Sequence, residues 1–140
     1  MSNINVTDIC SSLQFLGNFV VENVEMMSGN ELCGKVRIRV LIDNKQHELR
    51  VEMKMKKKEG IGLLVREDGT LFMKMMFVND ECEGEVIKKD DYGNIVLKGR
   101  VEKGKEVGIW IEYNEMEKEI WRGFYRKGKR HRTMREQEGI

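Results

Sequence analysis

The residues that most often carry catalysis are few in this chain and stand apart from one another. His47 lies in a Lys/Glu-rich turn and His131 in a basic segment, and neither is next to a plausible nucleophile. The sequence contains no nucleophile elbow, no P-loop, no HExxH zinc motif and no dinucleotide fingerprint. The three cysteines, Cys10, Cys33 and Cys82, are far apart and never approach the CxxC spacing of a zinc or redox site. We therefore expect a protein that is not an enzyme and that has no cofactor and no metal site.

Basic residues are concentrated near the C-terminus. Between residues 126 and 135 there are six cations and no acid. Such a concentration of Lys and Arg is typical of contacts with anionic lipid or nucleic acid, although basic tails without a binding role are also common. We expect it to attract an acidic peptide or a phospholipid headgroup. This basic cluster consists of Arg126, Lys127, Lys129, Arg130, Arg132 and Arg135.

A second basic run is interpreted as structural. Lys54, Lys56, Lys57 and Lys58 end one predicted strand, and Lys54 and Lys56 fall on the polar side of a strict alternation. Because edge strands often carry Lys to prevent aggregation, the run is typical of a solvated hairpin tip.

The aromatic residues gather in the same C-terminal part of the chain. Trp110, Tyr113, Trp121 and Phe124 are predicted to form a sheet face that docks a protein partner. Around the tryptophans, apolar residues occupy both faces of a strand, so one face needs a cover. That cover is either an N-terminal helix or a partner protein.

Composition excludes several classes of function. The chain has 140 residues, with 25 Lys and Arg against 24 Asp and Glu, and its formal charge is +1. No global field therefore favours nucleic acid or membrane, and binding to either must come from local patches. The sequence shows neither a signal peptide nor an apolar run long enough to span a membrane. We expect a cytoplasmic location.

The hydrophobic pattern predicts the architecture that positions these residues. A period of two dominates from Gly17 onward, and turn residues such as Asp43-Asn44 and Asp68-Gly69 recur at short intervals. The fold class predicted is all-β: an antiparallel meander of about eight to ten strands with a short N-terminal helix. We assign a single domain, 1–140, with a helical cap at 1–18, a lead-in at 19–44, hairpin repeats at 45–133 and a tail at 134–140.

Glycines return at a spacing of 24 residues, which indicates one supersecondary unit copied along the chain. The aligned pairs are Gly69 with Gly93, Gly84 with Gly108, Gly99 with Gly123, and Gly104 with Gly128. The units are 68–91, 92–115 and 116 to the end, each predicted to be a hairpin of two strands. A weaker copy at 46–67 aligns at a slightly shorter offset, which places Gly62 on Gly84.

The segment from Leu97 to Tyr113 resembles a MORN repeat, whose pattern runs aromatic-x-Gly, then Gly-Lys, then Gly-x-Trp. Gly99, Gly104-Lys105 and Gly108-Ile109-Trp110 carry the likeness, and the copy from Trp121 to Lys129 continues it. Leu97 and Val101 depart from the aromatic residues usual in the family. The resemblance implies an elongated β-meander that serves as a scaffold for protein partners or acidic phospholipid surfaces, and it implies no catalytic residues.

We interpret the chain as a non-enzymatic binding or scaffold module with a protein partner. Two alternatives stay open. One is a small closed β-barrel that carries an apolar ligand in a cavity lined by Met53, Met55, Met73 and Met75. The other is a nucleic-acid binder that uses the basic tail, and nucleic acid is the least favoured partner. An acidic phospholipid surface and a second copy of the chain also remain open as partners.

Overall fold

The computed structural model of the protein describes Leu13, Leu16, residues 18–29 and residues 33–133, with side chains described up to residue 130. Eleven β-strands occupy most of these residues. In chain order they are β1 (Phe19–Gly29), β2 (Cys33–Ile42), β3 (Lys45–Lys54), β4 (Lys57–Arg66), β5 (Leu71–Val78), β6 (Glu81–Cys82), β7 (Gly84–Lys89), β8 (Ile95–Glu102), β9 (Lys105–Tyr113), β10 (Glu119–Arg126) and β11 (Lys129–Thr133).

The strands form one antiparallel sheet in which sequence neighbours are also spatial neighbours. The order runs from β1 to β11 without a crossover, and only the two-residue β6 lies off this path, paired with β5. The predicted all-β meander is confirmed. The structure has eleven strands where about eight to ten were predicted, and the two-residue β6 is one of the eleven. The sheet is open, with β1 and β11 at its two ends, so the described strands do not form the closed barrel considered as an alternative.

Two segments of the predicted organisation lie largely outside the described residues. The tail at 134–140 is one of them. The other is the helical cap at 1–18, of which only Leu13, Leu16 and Asn18 are described. Leu13 is only 1% exposed and belongs to the core cluster of the sheet, and Leu16 packs against that cluster, so these two residues cover part of the core face. Within the described residues there is no helix long and apolar enough to cross a membrane.

The hairpin turns repeat at the interval that the glycines indicate. Turns at 55–56, 79–80, 103–104 and 127–128 all have positive φ at both central residues, as the two-residue type I′ hairpin requires. The backbone N–H of the second turn residue donates to a carbonyl of the preceding hairpin at 2.9 Å in three successive copies: Asp80 to Lys58, Gly104 to Cys82, and Gly128 to Glu106. The predicted hairpin units at 68–91, 92–115 and 116 onward therefore stack with a constant geometry.

The first, weaker copy joins the array at the same spacing as the later copies, not at the shorter offset of the sequence alignment. Gly60, Gly84 and Gly108 follow one another at equal intervals and share positive φ values of 86°, 95° and 69°. Gly62, which the alignment placed on Gly84, is not among the residues with positive φ. Gly62 instead lies under Phe77, whose Cε2 atom is 2.6 Å from the position a Cβ would occupy. The alignment was wrong because it matched two glycines that serve different purposes.

One face of the sheet carries the core. The predicted alternation is clearest in β2 and β3, where Val36, Ile38 and Val40 and then Leu49 and Val51 are buried between exposed or half-buried polar residues. The same face continues through Leu64, Met73, Met75, Phe77, Val86, Val101 and Trp110. Burial of these side chains is the main stabilising contribution, at about 25 cal/mol per Å² of apolar surface.

Candidate functional site

The four aromatic residues predicted to form one docking face lie on two opposite faces of the sheet. Gly123 pairs with Trp110 and Phe124 pairs with Ile109, so alternation sends Trp110 and Phe124 to opposite sides. Trp110 is 5% exposed, packs in the core and donates from Nε1 to the carbonyl of Arg100 at 3.1 Å. Trp121 packs partly buried against the same core.

Phe124 belongs to the opposite face, which we call the outer face, and strand alternation places Tyr113 there as well. The single aromatic face was therefore a wrong expectation. The three-residue spacing from Trp110 to Tyr113 and from Trp121 to Phe124 already places the two rings of each pair on opposite sides of a regular strand. Which rings of β9 and β10 share a side depends on the register between the two strands, which the bulge between Glu119 and Trp121 shifts.

The buried tryptophans explain one of the repeated glycine positions. Ring atoms of Trp110 occupy the space where a Cβ of Gly99 would lie, and ring atoms of Trp121 do the same above Gly123. Each indole therefore packs flat onto bare backbone. Trp110 also meets Tyr125 edge to face, with ring centroids 6.0 Å apart. These rings stabilise the hairpin stack, as aromatic pairs in sheets commonly do.

An ordered row of side chains crosses the outer face. Each residue in this row is the direct register partner of the next, from one strand to its neighbour. We call it the outer row. Its members, from β2 to β10, are Arg37, Arg50, Leu63, Lys74, Ile87, Lys98, Ile111 and Arg122.

From β3 onward the outer row alternates cations and aliphatic residues over seven strands and contains no acid. Its cations there are Arg50, Lys74, Lys98 and Arg122, each 24 residues after the one before, and its aliphatic members are likewise 24 apart. Since adjacent strands lie about 4.8 Å apart, successive cations are about 9.6 Å apart along the sheet. The sequence analysis did not identify this row. The signal is nevertheless present in the sequence, because the spacing of 24 residues that relates the glycines also relates these cations.

Acidic side chains flank the cations of the outer row. Glu48 lies 2.6 Å from the Nε of Arg50, Glu85 lies 3.9 Å from the Nζ of Lys98, and Glu119 contacts Arg122. The cationic side chains of these pairs are 37 to 50% exposed. Exposed ion pairs contribute only about 0 to 1 kcal/mol, so they can exchange for carboxylates from another molecule.

The basic cluster is described in part. Arg126, Lys127, Lys129 and Arg130 are exposed around the β10–β11 turn. The backbone of Arg132 lies in β11, but its side chain and all of Arg135 are outside the described residues. The four described cations therefore present positive charge to solvent at one end of the sheet.

The basic run from Lys54 to Lys58, which was expected to be a solvated hairpin tip, differs from that expectation at one position. Lys54, Lys56 and Lys57 are exposed, as expected of a hairpin tip, whereas Lys58 is 1% exposed. Its Nζ forms an ion pair with Oδ1 of Asp80 and lies 5.6 Å from the ring centroid of Phe77. Lys58 occupies a core-facing position of β4, so its interpretation as a solvated residue was wrong.

A groove lies at one end of the strands, where the β2–β3, β4–β5 and β7–β8 turns meet. It has a volume of about 720 Å³, and its apolar lining includes Ile42, Phe72 and Val96. Phe72 is the extra residue at the register shift between β4 and β5, and its ring lies 4.7 Å from the ring of His47. His47 is 7% exposed, and its Nδ1 lies 2.9 Å from the carbonyl oxygen of Lys45.

The polar groups of this groove hold the turns together. The Nε of Arg66 lies 3.1 Å from Asp91, and its other nitrogens donate to the carbonyls of Leu71 and Lys89 at 3.0 and 2.5 Å. The carboxylate of Asp90 accepts the backbone N–H of Asn94, which lowers the pKa of Asp90 from its ordinary value of 3.8. These contacts link one hairpin unit to the next.

The environment of the Cys82 thiol and the arrangement of potential metal ligands bear on the chemistry of the described residues. Burial raises the pKa of Cys82 to about 12, so this thiol stays protonated and inert at neutral pH. Among the residues with described positions, no three His, Cys, Asp or Glu side chains are grouped so that they could hold a metal ion.

The fold and surface together define an open, single-sheet protein built from β-hairpins that stack at one constant interval. Comparison of the chain with protein-family models and with curated proteins found no match.

Proposed function

We propose that this protein is a non-enzymatic scaffold that docks an acidic segment of a partner protein on the outer face of its sheet. The observation that carries the proposal is the outer row, in which cations and aliphatic residues alternate across seven strands without an acid. Such a surface offers charge attraction and apolar contact in the same place, which is the combination typical of protein interfaces.

Apolar exposure on the outer face supports a protein partner. Leu63 is 38% exposed, and beside the outer row Ile61, Met76 and Ile109 are 50%, 38% and 42% exposed. Scattered exposed aliphatic residues need no explanation, but these lie in register with one another or next to the row. The partner's apolar side chains would cover them.

The likeness to MORN repeats supports the same proposal. Its expected hallmark, a stack of hairpins at a constant interval, agrees with the repeated turn geometry and with the position of Trp110 over Gly99. We propose on this basis that the chain is a divergent MORN-like protein that acts in the cytoplasm. The edges of the sheet at β1 and β11 offer backbone groups to a second copy, which makes a homodimer part of the proposal.

The basic cluster gives the proposal a second element. Its described cations, Arg126, Lys127, Lys129 and Arg130, are exposed and close to the end of the outer row at Arg122. They would increase the rate of association with an acidic peptide or an acidic headgroup, an effect that is strong at low salt and screened at high salt.

The proposal is tested by fluorescence anisotropy with a labelled Glu-rich peptide long enough to span the outer row, at low and physiological salt. The double variant K74E/K98E reverses two charges of the outer row, whereas K54E/K57E reverses two exposed charges at the β3–β4 hairpin tip. We expect K74E/K98E to weaken binding about tenfold and K54E/K57E to change it less than twofold. Equal losses in both variants, or an unchanged affinity in K74E/K98E, would refute docking on the outer face.

A further inference from the structure

We infer that the segment docked on the outer row is an amphipathic α-helix that presents acidic and aliphatic side chains on alternate turns of one face. This inference rests on the proposed function and specifies the secondary structure of the partner. Its basis is the spacing of the outer row rather than its charge alone.

The period of the outer row matches the pitch of a helix. Strands follow one another at about 4.8 Å, so a cation, an aliphatic residue and the next cation lie at about 0, 4.8 and 9.6 Å. Turns of an α-helix follow at about 5.4 Å, so an acid, an aliphatic residue and a second acid one heptad on lie at about 0, 5.4 and 10.5 Å. Each turn of the helix thus meets one strand, with unlike charges and like apolar groups in contact.

The difference between the strand spacing and the helix pitch stays small over the length of the outer row. From Arg50 to Arg122 the row spans six strand intervals, or about 29 Å, which corresponds to a helix of about 19 residues. A helix with three heptad intervals is about 31 Å long, so the two periods drift apart by about 3 Å in total. With the helix centred on the row, half of this drift falls at either end, which the long side chains of Arg50 and Arg122 can follow.

An extended peptide does not match in this way. Its side chains return to the same side about every 6.8 Å, so its acids would fall at about 6.8 or 13.6 Å rather than near 9.6 Å. An anionic membrane would neutralise the cations, but its polar headgroups would offer no apolar contact to the aliphatic residues between them. The alternation of the row therefore favours a helix over both.

The neighbouring side chains fit the width of a helix. Two residues along the strands, at about 6.8 Å from the outer row, lie the register pairs Ile61 with Met76 and Ile109 with Phe124. An α-helix with its side chains is about 10 Å wide, so it would cover the row and this flank together. The two apolar pairs then contact the helix near its two ends.

The inference is tested with two synthetic peptides that are each three heptads long and have the same composition. The first places Glu and Leu on alternate turns of one helical face, and the second scrambles them so that they share no face. Each is titrated by fluorescence anisotropy against the full chain, against K74E/K98E and against the control K54E/K57E. A third peptide carries Lys in place of Glu and is titrated against K74E/K98E.

We expect the patterned peptide to bind at least tenfold more tightly than the scrambled one and to gain helical circular dichroism on binding. K74E/K98E should lose this preference and prefer the Lys peptide, while K54E/K57E should behave as the unmodified chain. Equal binding of both Glu peptides, with loss in K74E/K98E, would overturn the helix but leave docking on the outer face standing. If both Glu peptides bind and K74E/K98E weakens neither, the helix and the proposed function are overturned together. Binding to phosphatidylserine vesicles but to neither peptide, lost in K74E/K98E, would replace the protein partner by a membrane.

Discussion

The buried ion pair between Lys58 and Asp80 lends itself to a thermodynamic cycle, because the repeat supplies its own uncharged version. The positions one and two repeats after Lys58 are Cys82 and Glu106, and those after Asp80 are Gly104 and Gly128. Asp80 therefore occupies a turn position that is glycine in the later copies, with φ of 75°. We consider Asp80→Gly, Lys58→Met and the double variant.

The magnitudes follow from burial and backbone conformation. Asp80→Gly leaves the ammonium group of Lys58, 1% exposed, without its counter-ion, which costs about 3 to 5 kcal/mol. Glycine relieves about 1 kcal/mol of left-handed strain, so we expect a net loss of about 2 to 4 kcal/mol in the free energy of unfolding. Lys58→Met leaves a carboxylate that is 24% exposed and can reach water, so its cost is about 1 kcal/mol or less. The double variant should be close to the unmodified chain, with a coupling energy of about 2 to 5 kcal/mol in magnitude.

The assay is equilibrium unfolding in urea, followed by tryptophan fluorescence and far-UV circular dichroism, with a check that the m-value is unchanged. Asn44→Gly serves as the control, because Asn44 occupies the second position of another such turn with φ of 63° and is exposed. It should be neutral or slightly stabilising. The reasoning is refuted if Asp80→Gly is as stable as the unmodified chain, or if the coupling energy lies within the usual error of about 0.5 kcal/mol.

Three further outcomes test the core, a repeated glycine and a turn. In a variant whose two other cysteines are serine, Cys82 should react with Ellman's reagent at about pH 8 only on unfolding, since burial keeps its thiol protonated; fast reaction of the folded chain would contradict this. Gly99→Ala should destabilise the chain by about 1 to 3 kcal/mol and alter the near-UV signal of Trp110, because its Cβ would meet the indole ring. Gly108→Ala, whose Cβ meets open space but whose φ of 69° strains alanine, should lower stability without altering that signal; urea unfolding and near-UV circular dichroism of both variants decide it. The lowered pKa of Asp90 contributes stability that is fully present above its ordinary value of 3.8 and is lost as the pH falls through the lower native value. Unfolding midpoints of Asp90→Asn should therefore be below those of the unmodified chain near neutral pH and converge with them in acid, and parallel curves would disprove the assignment.

Much of the architecture could be predicted because it depends on local rules. Alternation of Val36, Ile38 and Val40 with polar residues determines which side of a strand is buried, and glycine, Asn or Asp at the turns determines where the chain reverses. The regular spacing of Gly84 and Gly108 reflects a backbone conformation that few other residues adopt, so it was visible without a structure.

The candidate site was less predictable, because it depends on register between strands that are distant in sequence. Trp110 and Phe124 lie on neighbouring strands, and the bulge before Trp121 shifts the register between those strands, so their relative sides could not be read from their spacing. Lys58 is buried because it pairs with the carboxylate of Asp80 in the next hairpin, and no local sequence pattern predicts that pairing.

The amino-acid sequence by itself thus determined that the chain forms repeated antiparallel hairpins, since propensity, alternation and turn chemistry act within a few residues. Only the tertiary structure decided what those hairpins present. Stacking at a fixed register brings Arg50, Lys74 and Lys98, one from each successive repeat, into one line on the outer face while it turns the indoles inward. The physical reason is that a surface is made of neighbours across strands, and hydrogen-bond register between strands determines those neighbours.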